Sequence, residues 1–156
     1  SDLLEVAGAA LDAGAEALTL VNTLLGLAID ERTRQVVLGA GGGGLSGPAL
    51  HSVALRAVYD CAAAYPGAPI VGVGGISDGA GALRMLLAGA SAVQVGTATL
   101  ADPRAPHRVL SELCRRLDSD GVRSLGEVIG EAQRRPTDEG AMTETPNDGG
   151  GRRDDP

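Results

Sequence analysis

The stretch Pro69-Ile70-Val71-Gly72-Val73-Gly74-Gly75-Ile76-Ser77 restricts the fold of this chain more than any other. A short β-branched run enters two adjacent glycines and is followed by a segment with helical spacing. Such a run is short and apolar enough to be a fully buried strand of a parallel sheet. Glycines at its carboxyl end let the backbone approach a partner that no side chain would accommodate. Ala92-Val93-Gln94-Val95-Gly96-Thr97 is a second, weaker copy. Two strands that both end in bare backbone N–H groups suggest a shared anion, most simply a phosphate.

Helical and strand spacing alternate around these two strands. Residues 2–13 carry an apolar helical stripe with Ser1 or Asp2 as N-cap, and Gly14 stops it. Residues 17–21 read as a buried strand that ends at Asn22-Thr23. Residues 27–30 and 34–38 flank Glu31-Arg32-Thr33 as a small hairpin, and the glycines at 41–44 read as a flexible loop of the kind a lid needs. Pro48 suits the first turn of a helix that runs to about Tyr65, with Leu50, Val53, Ala54, Ala57, Val58 and Cys61 on one face. Further helices are expected over residues 78–87, 106–117 and 124–134. Residues 136–156 hold almost nothing that can be buried and read as a disordered acidic tail behind a domain of residues 1–135.

The pattern Ala-Gly-Ala-x-Ala-apolar-polar-apolar occurs at residues 13–20 and again at residues 88–95. In both places a helix ends in glycine and turns directly into a strand. Repeated units of this kind build a parallel α/β sheet whose strand ends Asn22, Gly74 and Gly96 share one face. In a (β/α)8 barrel that face is the catalytic one, and phosphate usually sits after the seventh and eighth strands. Three strands cannot close a barrel. The chain opens without Met or a preceding strand and reads as the back part of something longer; if the sheet belongs to a TIM barrel, this is its carboxyl-terminal part, about three βα units, and the front five strands are missing.

Composition narrows the chemistry. Trp and Phe are absent, so the core must be built from Ala, Val, Leu and Ile. All 13 basic residues are Arg, which excludes a Schiff-base lysine or a lysine phosphate clamp within this chain. A formal net charge of −7 argues against nucleic acid or an anionic membrane as partner. No apolar run approaches the roughly 20 residues needed to span a bilayer. Cys61 and Cys114 lack metal-ligand spacing and read as reduced, buried structural thiols of a cytosolic, cytoplasmic protein.

Each motif also has a plainer reading. The glycines at 74, 75 and 96 are compatible with ordinary turns between strand and helix. A dinucleotide-binding reading is poorer, because no acidic residue closes a second strand at the expected spacing. The Asn22 side chain can both donate and accept, which suits an amide-bearing ring, and it equally suits a local turn cap. His51 and His107 read as surface or helix-cap residues, and Arg32 and Arg34 as solvated or touching a partner subunit. No catalytic triad, metal cluster or paired-carboxylate site emerges. The chain supplies binding groups without an evident acid or base.

Four stretches together resemble the dihydroorotate dehydrogenase family: residues 21–30 (VNTLLGLAID), 43–49 (GGLSGPA), 71–76 (VGVGGI) and 89–98 (GASAVQVGTA). The resemblance covers residues 1–135, and the first and last stretches look like the NAD-linked class 1B catalytic subunit. It implies a (β/α)8 barrel that holds FMN and oxidises dihydroorotate to orotate in pyrimidine biosynthesis. Carried over by residue, Val21 would line the flavin, and Asn22 and Thr23 would hold the pyrimidine and its carboxylate. Gly47, Gly74, Gly75, Gly96 and Thr97 would bind FMN, the last four at its phosphate. The resemblance further implies a homodimer within a heterotetramer, whose partner subunit carries FAD and a [2Fe-2S] cluster and passes electrons to NAD. The family's catalytic Cys, its flavin-contacting Lys and several substrate-binding Asn residues have no counterpart here, so the chain alone is expected to be inactive. A non-flavin phosphate-binding barrel enzyme and an inactive truncated remnant are the competing readings.

Overall fold

The computed structural model describes residues 2–134, so the tail expected over residues 136–156 lies outside the described residues. Helix α1 (Leu3–Asp12) begins at Asp2, whose carboxylate accepts the Leu4 N–H at 2.9 Å. An acidic N-cap satisfies an orphan donor and complements the positive end of the helix dipole.

The repeated Ala-Gly-Ala motif is one turn made twice. At the end of α1, Ala13 donates to Ala9, Gly14 to Leu11 and Ala15 to Ala10, at 3.0, 2.9 and 3.0 Å. At the end of α3 (Gly79–Leu87), Ala88 donates to Arg84, Gly89 to Leu86 and Ala90 to Met85, at the same three distances. Gly14 and Gly89 hold φ of 98° and 114°, in the positive range where glycine carries little cost. Each turn delivers the chain into a strand, β1 (Leu18–Leu20) and β7 (Ala92–Gln94) respectively.

Between those strands lies β6 (Ile70–Val73), parallel to both, in the order β1-β6-β7. The register sets Leu20 beside Gly72 and Gly72 beside Val93, with Thr19, Val71 and Ala92 as the next row. Leu18, Leu20 and Ile70 join the core together with Ala54, Val58 and Cys61 of α2 (His51–Ala64) and Met85 of α3. The other face differs from the expectation of fully buried strands: Thr19, Ala92 and Gln94 are exposed, and Val71 and Val73 only half-buried. Helices cover one side of this sheet, and alternation along each strand turns every second side chain to the other.

The segment between β1 and α2 is more ordered than expected. The hairpin exists as β3 (Ile29–Asp30) against β4 (Gln35–Val36), shorter than its sequence suggested. Asp30 caps its turn by accepting the Arg32 and Thr33 N–H groups at 2.8 and 3.0 Å. The glycine run is not simply a loop: β5 (Gly43–Leu45) pairs antiparallel with β2 (Leu24–Gly26). A Cβ on Gly44 would collide with the Thr23 hydroxyl, so the glycine makes room for the Thr23 side chain.

Other expectations are corrected by packing. Val53 faces outward from α2 and is 48% exposed, because the buried stripe follows Leu50, Ala54, Ala57, Val58 and Cys61. Cys61 is buried as expected, whereas Cys114 is exposed on α5 (Ala105–Ser119), which follows the short helix α4 (Ala98–Ala101). Burial pushes the Cys61 thiol up from its ordinary pKa, with neighbouring Asp60 adding to the effect. The helix expected over residues 124–134 is two pieces, α6 (Leu125–Val128) and a 3-10 turn at Glu131–Gln133, separated at Gly130 with φ 70°. A residue in that conformation cannot continue a right-handed helix.

Candidate functional site

A cleft of about 520 Å³ opens where the three parallel strands end. Val21, Asn22 and Thr23 reach it from β1, Gly74 and Gly75 from β6, and Gly96 and Thr97 from β7. Gly47 joins them from the turn that leads into a 3-10 segment, Pro48–Leu50, and then α2. The structure therefore gathers all eight residues singled out in the sequence onto one surface. Its volume lies within the roughly 300–1,000 Å³ usual for small-molecule sites.

The glycines differ in what they do. Gly74 (φ 138°) and Gly75 (φ 65°) are pressed against the protein itself. A Cβ on Gly74 would lie 2.6 Å from the Cβ of Ala54, and one on Gly75 would lie 2.8 Å from the backbone nitrogen of His51. Their small size lets the start of α2 lie directly under the loop. Gly96 and Gly47 are the opposite case, since a Cβ on either meets nothing within 4 Å. The space at Gly96, a residue without a positive φ, is not demanded by the protein's own packing. That space opens on the cleft that Gly96 lines.

Hydrogen bonding sets the polarity of the loop. The Gly74 carbonyl faces His51 Nδ1 at 3.0 Å, and the Ser77 carbonyl accepts from Arg108 Nη1 at 3.0 Å. Both ends of the loop thus direct a carbonyl into the protein. The backbone N–H groups of Gly75, Gly96 and Thr97 donate to no acceptor among the described residues. All three residues line the same cleft, and backbone N–H groups without an internal acceptor are the kind of donor that can bind an anion.

Arg108 was missed in the sequence, although its spacing to Glu112 on one helix was readable. Its guanidinium donates to Asp102 at 3.3 Å and to Glu112 at 3.4 Å, and these two carboxylates hold it above its ordinary pKa, Asp102 first. Glu112 also accepts the Gly79 N–H at 2.8 Å, which ties α5 to the first turn of α3. Arg108 therefore braces the loop and is already paired. His51 does stand at a helix boundary, as a helix-cap reading expects, but it is not a plain surface residue. It is half-buried beneath the loop and lies outside the cleft lining, a position that only the tertiary approach of Gly74 creates. His107, Arg32 and Arg34 are exposed and contribute nothing to the cleft.

Asn22 Oδ1 accepts the Thr23 N–H at 2.8 Å. This local bond orients the amide so that its NH₂ group stays available to a ligand. Neither cysteine lines the cleft, and its one carboxylate, Asp102, is paired with Arg108. No group of three or more His, Cys, Asp and Glu side chains is placed to hold a metal among the described residues. Within the same residues, no helix is long and apolar enough to cross a membrane.

Comparison with known proteins gives one consistent result. A family model described as dihydroorotate dehydrogenase matches residues 1–117. A protein of Solibacter usitatus named putative dihydroorotate dehydrogenase A (fumarate) is 52% identical over 125 residues, which are 80% of this chain and 41% of that protein. The catalytic subunit of dihydroorotate dehydrogenase B (NAD(+)) from Geobacter metallireducens is 47% identical over 133 residues, 85% of this chain and 43% of that one. Among solved structures, a DHODH from Eimeria tenella in complex with ferulenol superposes with a TM-score of 0.69 at 30% identity, covering 85% of this chain and 35% of the other. The chain spans about two fifths of the length of the curated relatives it matches.

Proposed function

The chain belongs to the dihydroorotate dehydrogenase family, and on that premise we propose that its cleft holds the phosphate end of FMN in an enzyme that oxidises dihydroorotate to orotate in pyrimidine biosynthesis. The observation that carries this reading is the meeting of Gly75, Gly96 and Thr97, whose N–H groups have no other acceptor among the described residues. The empty space at Gly96 and Gly47 fits the same group.

FMN, when bound, supplies the acceptor for the hydride removed from the CH–CH bond of dihydroorotate. The chain's own residues do the holding. Gly74 and Gly75 form one wall of the phosphate site and Gly96 and Thr97 the other. Val21 presents an apolar, half-buried surface to the flavin ring. Asn22, with its Oδ1 fixed on the Thr23 backbone, offers its NH₂ donors to the pyrimidine carbonyl or carboxylate, and the Thr23 hydroxyl adds another. The proton lost from substrate goes to a base outside these residues, because the cleft lining contains no unpaired acid–base side chain.

Residues 1–135 form, in this reading, the carboxyl-terminal part of a (β/α)8 barrel. The open row of Thr19, Val71 and Ala92 is the face that further strands would cover. The relatives named as a catalytic subunit of an NAD(+) enzyme support a partner subunit, and our reading extends this to a homodimer within a heterotetramer that passes electrons to a partner with FAD and [2Fe-2S], in the cytoplasm.

Titration of FMN and of riboflavin into the full chain, followed by quenching of flavin fluorescence, tests the assignment. FMN is expected to bind at least tenfold more tightly, about 1.4 kcal/mol, because the phosphate makes the charge-assisted bonds. Equal affinity for the two flavins, or none for either, contradicts it.

A further inference from the structure

The Gly74 loop rests on a three-residue relay. Arg84 on α3 donates its Nε–H to His51 Nε2 at 3.3 Å, and His51 Nδ1 lies 3.0 Å from the Gly74 carbonyl oxygen. An arginine Nε–H can only donate, so Nε2 must present its lone pair. The ring proton then sits on Nδ1, where it donates to Gly74. Arg84 thus selects the tautomer that the loop requires.

The backbone converts this into a direction. In a trans peptide the C=O and the following N–H point to opposite sides. With the Gly74 carbonyl fixed on His51, the Gly75 N–H is held away from His51 and α2. Gly75 lines the cleft, and His51 does not. The close seat of the loop on α2, with a Gly75 Cβ only 2.9 Å from the His51 Cβ, leaves the peptide little freedom to flip.

We infer that His51 is a positioning residue for anion binding: it aims the Gly75 N–H into the cleft, and Arg84 fixes the His51 tautomer that does so. The role rests on the reading of the cleft as an FMN phosphate site, and it places a determinant of cofactor affinity on a side chain that never touches the cofactor.

Two near-isosteric substitutions separate this role from simple packing. His51→Asn keeps an N–H close to the position of Nδ1, whereas His51→Gln puts its amide near the position of Nε2. FMN affinity of the full chain is expected to stay within about twofold of wild type in H51N and to weaken by about five- to tenfold in H51Q, the scale of one directed hydrogen bond. ¹⁵N NMR of the imidazole, assigned by the signal that H51N removes, is expected to show the proton on Nδ1 in wild type. In Arg84→Met, the proton is expected to distribute over both nitrogens. A wild-type ring protonated on Nε2 overturns the relay, whatever the variants do. FMN bound equally by H51N and H51Q overturns the role in binding. A wild-type chain that takes up no FMN overturns the flavin reading and this role with it, so the two failures are distinct.

Discussion

The Cβ that Gly75 lacks would lie 2.7 Å from the carbonyl oxygen of Gly47. Two glycines from separate turns therefore touch through backbone alone, beside a cleft that both of them line. Gly75→Ala forces that contact apart and also places a side chain at φ 65°. We expect a loss of about 1–3 kcal/mol of stability and of measurable FMN binding, read by thermal unfolding and flavin titration. An alanine variant with unchanged melting would show that the loop is looser than its geometry indicates.

Gly96→Ala is the complementary case. The added methyl group meets no protein atom within 4 Å, so stability should stay within about 0.5 kcal/mol of wild type. FMN affinity should fall at least tenfold, about 1.4 kcal/mol, because the methyl group occupies ligand space. Unchanged affinity would remove Gly96 from the site.

Tyr65 closes the opposite end of the helical layer, where its hydroxyl donates to the Leu4 carbonyl at 2.6 Å. Gly8 exists beneath it for want of room, since a Cβ there would lie 2.6 Å from the Tyr65 oxygen. Tyr65→Phe is expected to cost about 1 kcal/mol in chemical unfolding with no effect on flavin affinity. An effect on affinity would mean that α1 communicates with the cleft.

The two cysteines should react differently. Cys114 is exposed, whereas Cys61 is fully buried and its pKa is raised by that burial, so it stays a protonated thiol. A chromogenic disulfide reagent should modify one thiol per native chain quickly and the second only with unfolding. Fast reaction at both would place Cys61 outside the core.

The parts of this fold that were legible in the sequence depend on local rules. The helix stops at Gly14 and Gly89, the Asp2 cap and the strand ends at Gly74 and Gly96 all follow from residue type and spacing. What escaped notice depends on tertiary approach. Gly43–Leu45 pairs as a strand because Leu24–Gly26 lies alongside, and glycines carry no strand signature of their own. His51 looks like any residue at a helix start until Gly74 comes within 3.0 Å of it. Val53 shares the apolar spacing of α2 but falls outside the stripe that its neighbours cover. Glycine itself was ambiguous: at Gly74 and Gly75 it serves packing, and at Gly96 it leaves room.

Amide spectra of the ¹⁵N-labelled chain, recorded with and without FMN, test the central claim most directly. The Gly75, Gly96 and Thr97 amides should move together on saturation, downfield as expected of N–H groups that gain a phosphate acceptor. Riboflavin should leave those three signals in place. Shifts concentrated instead in a separate, smaller hollow lined by Tyr65, Gly89 and Gly130, or no response at these three amides, would contradict the assignment.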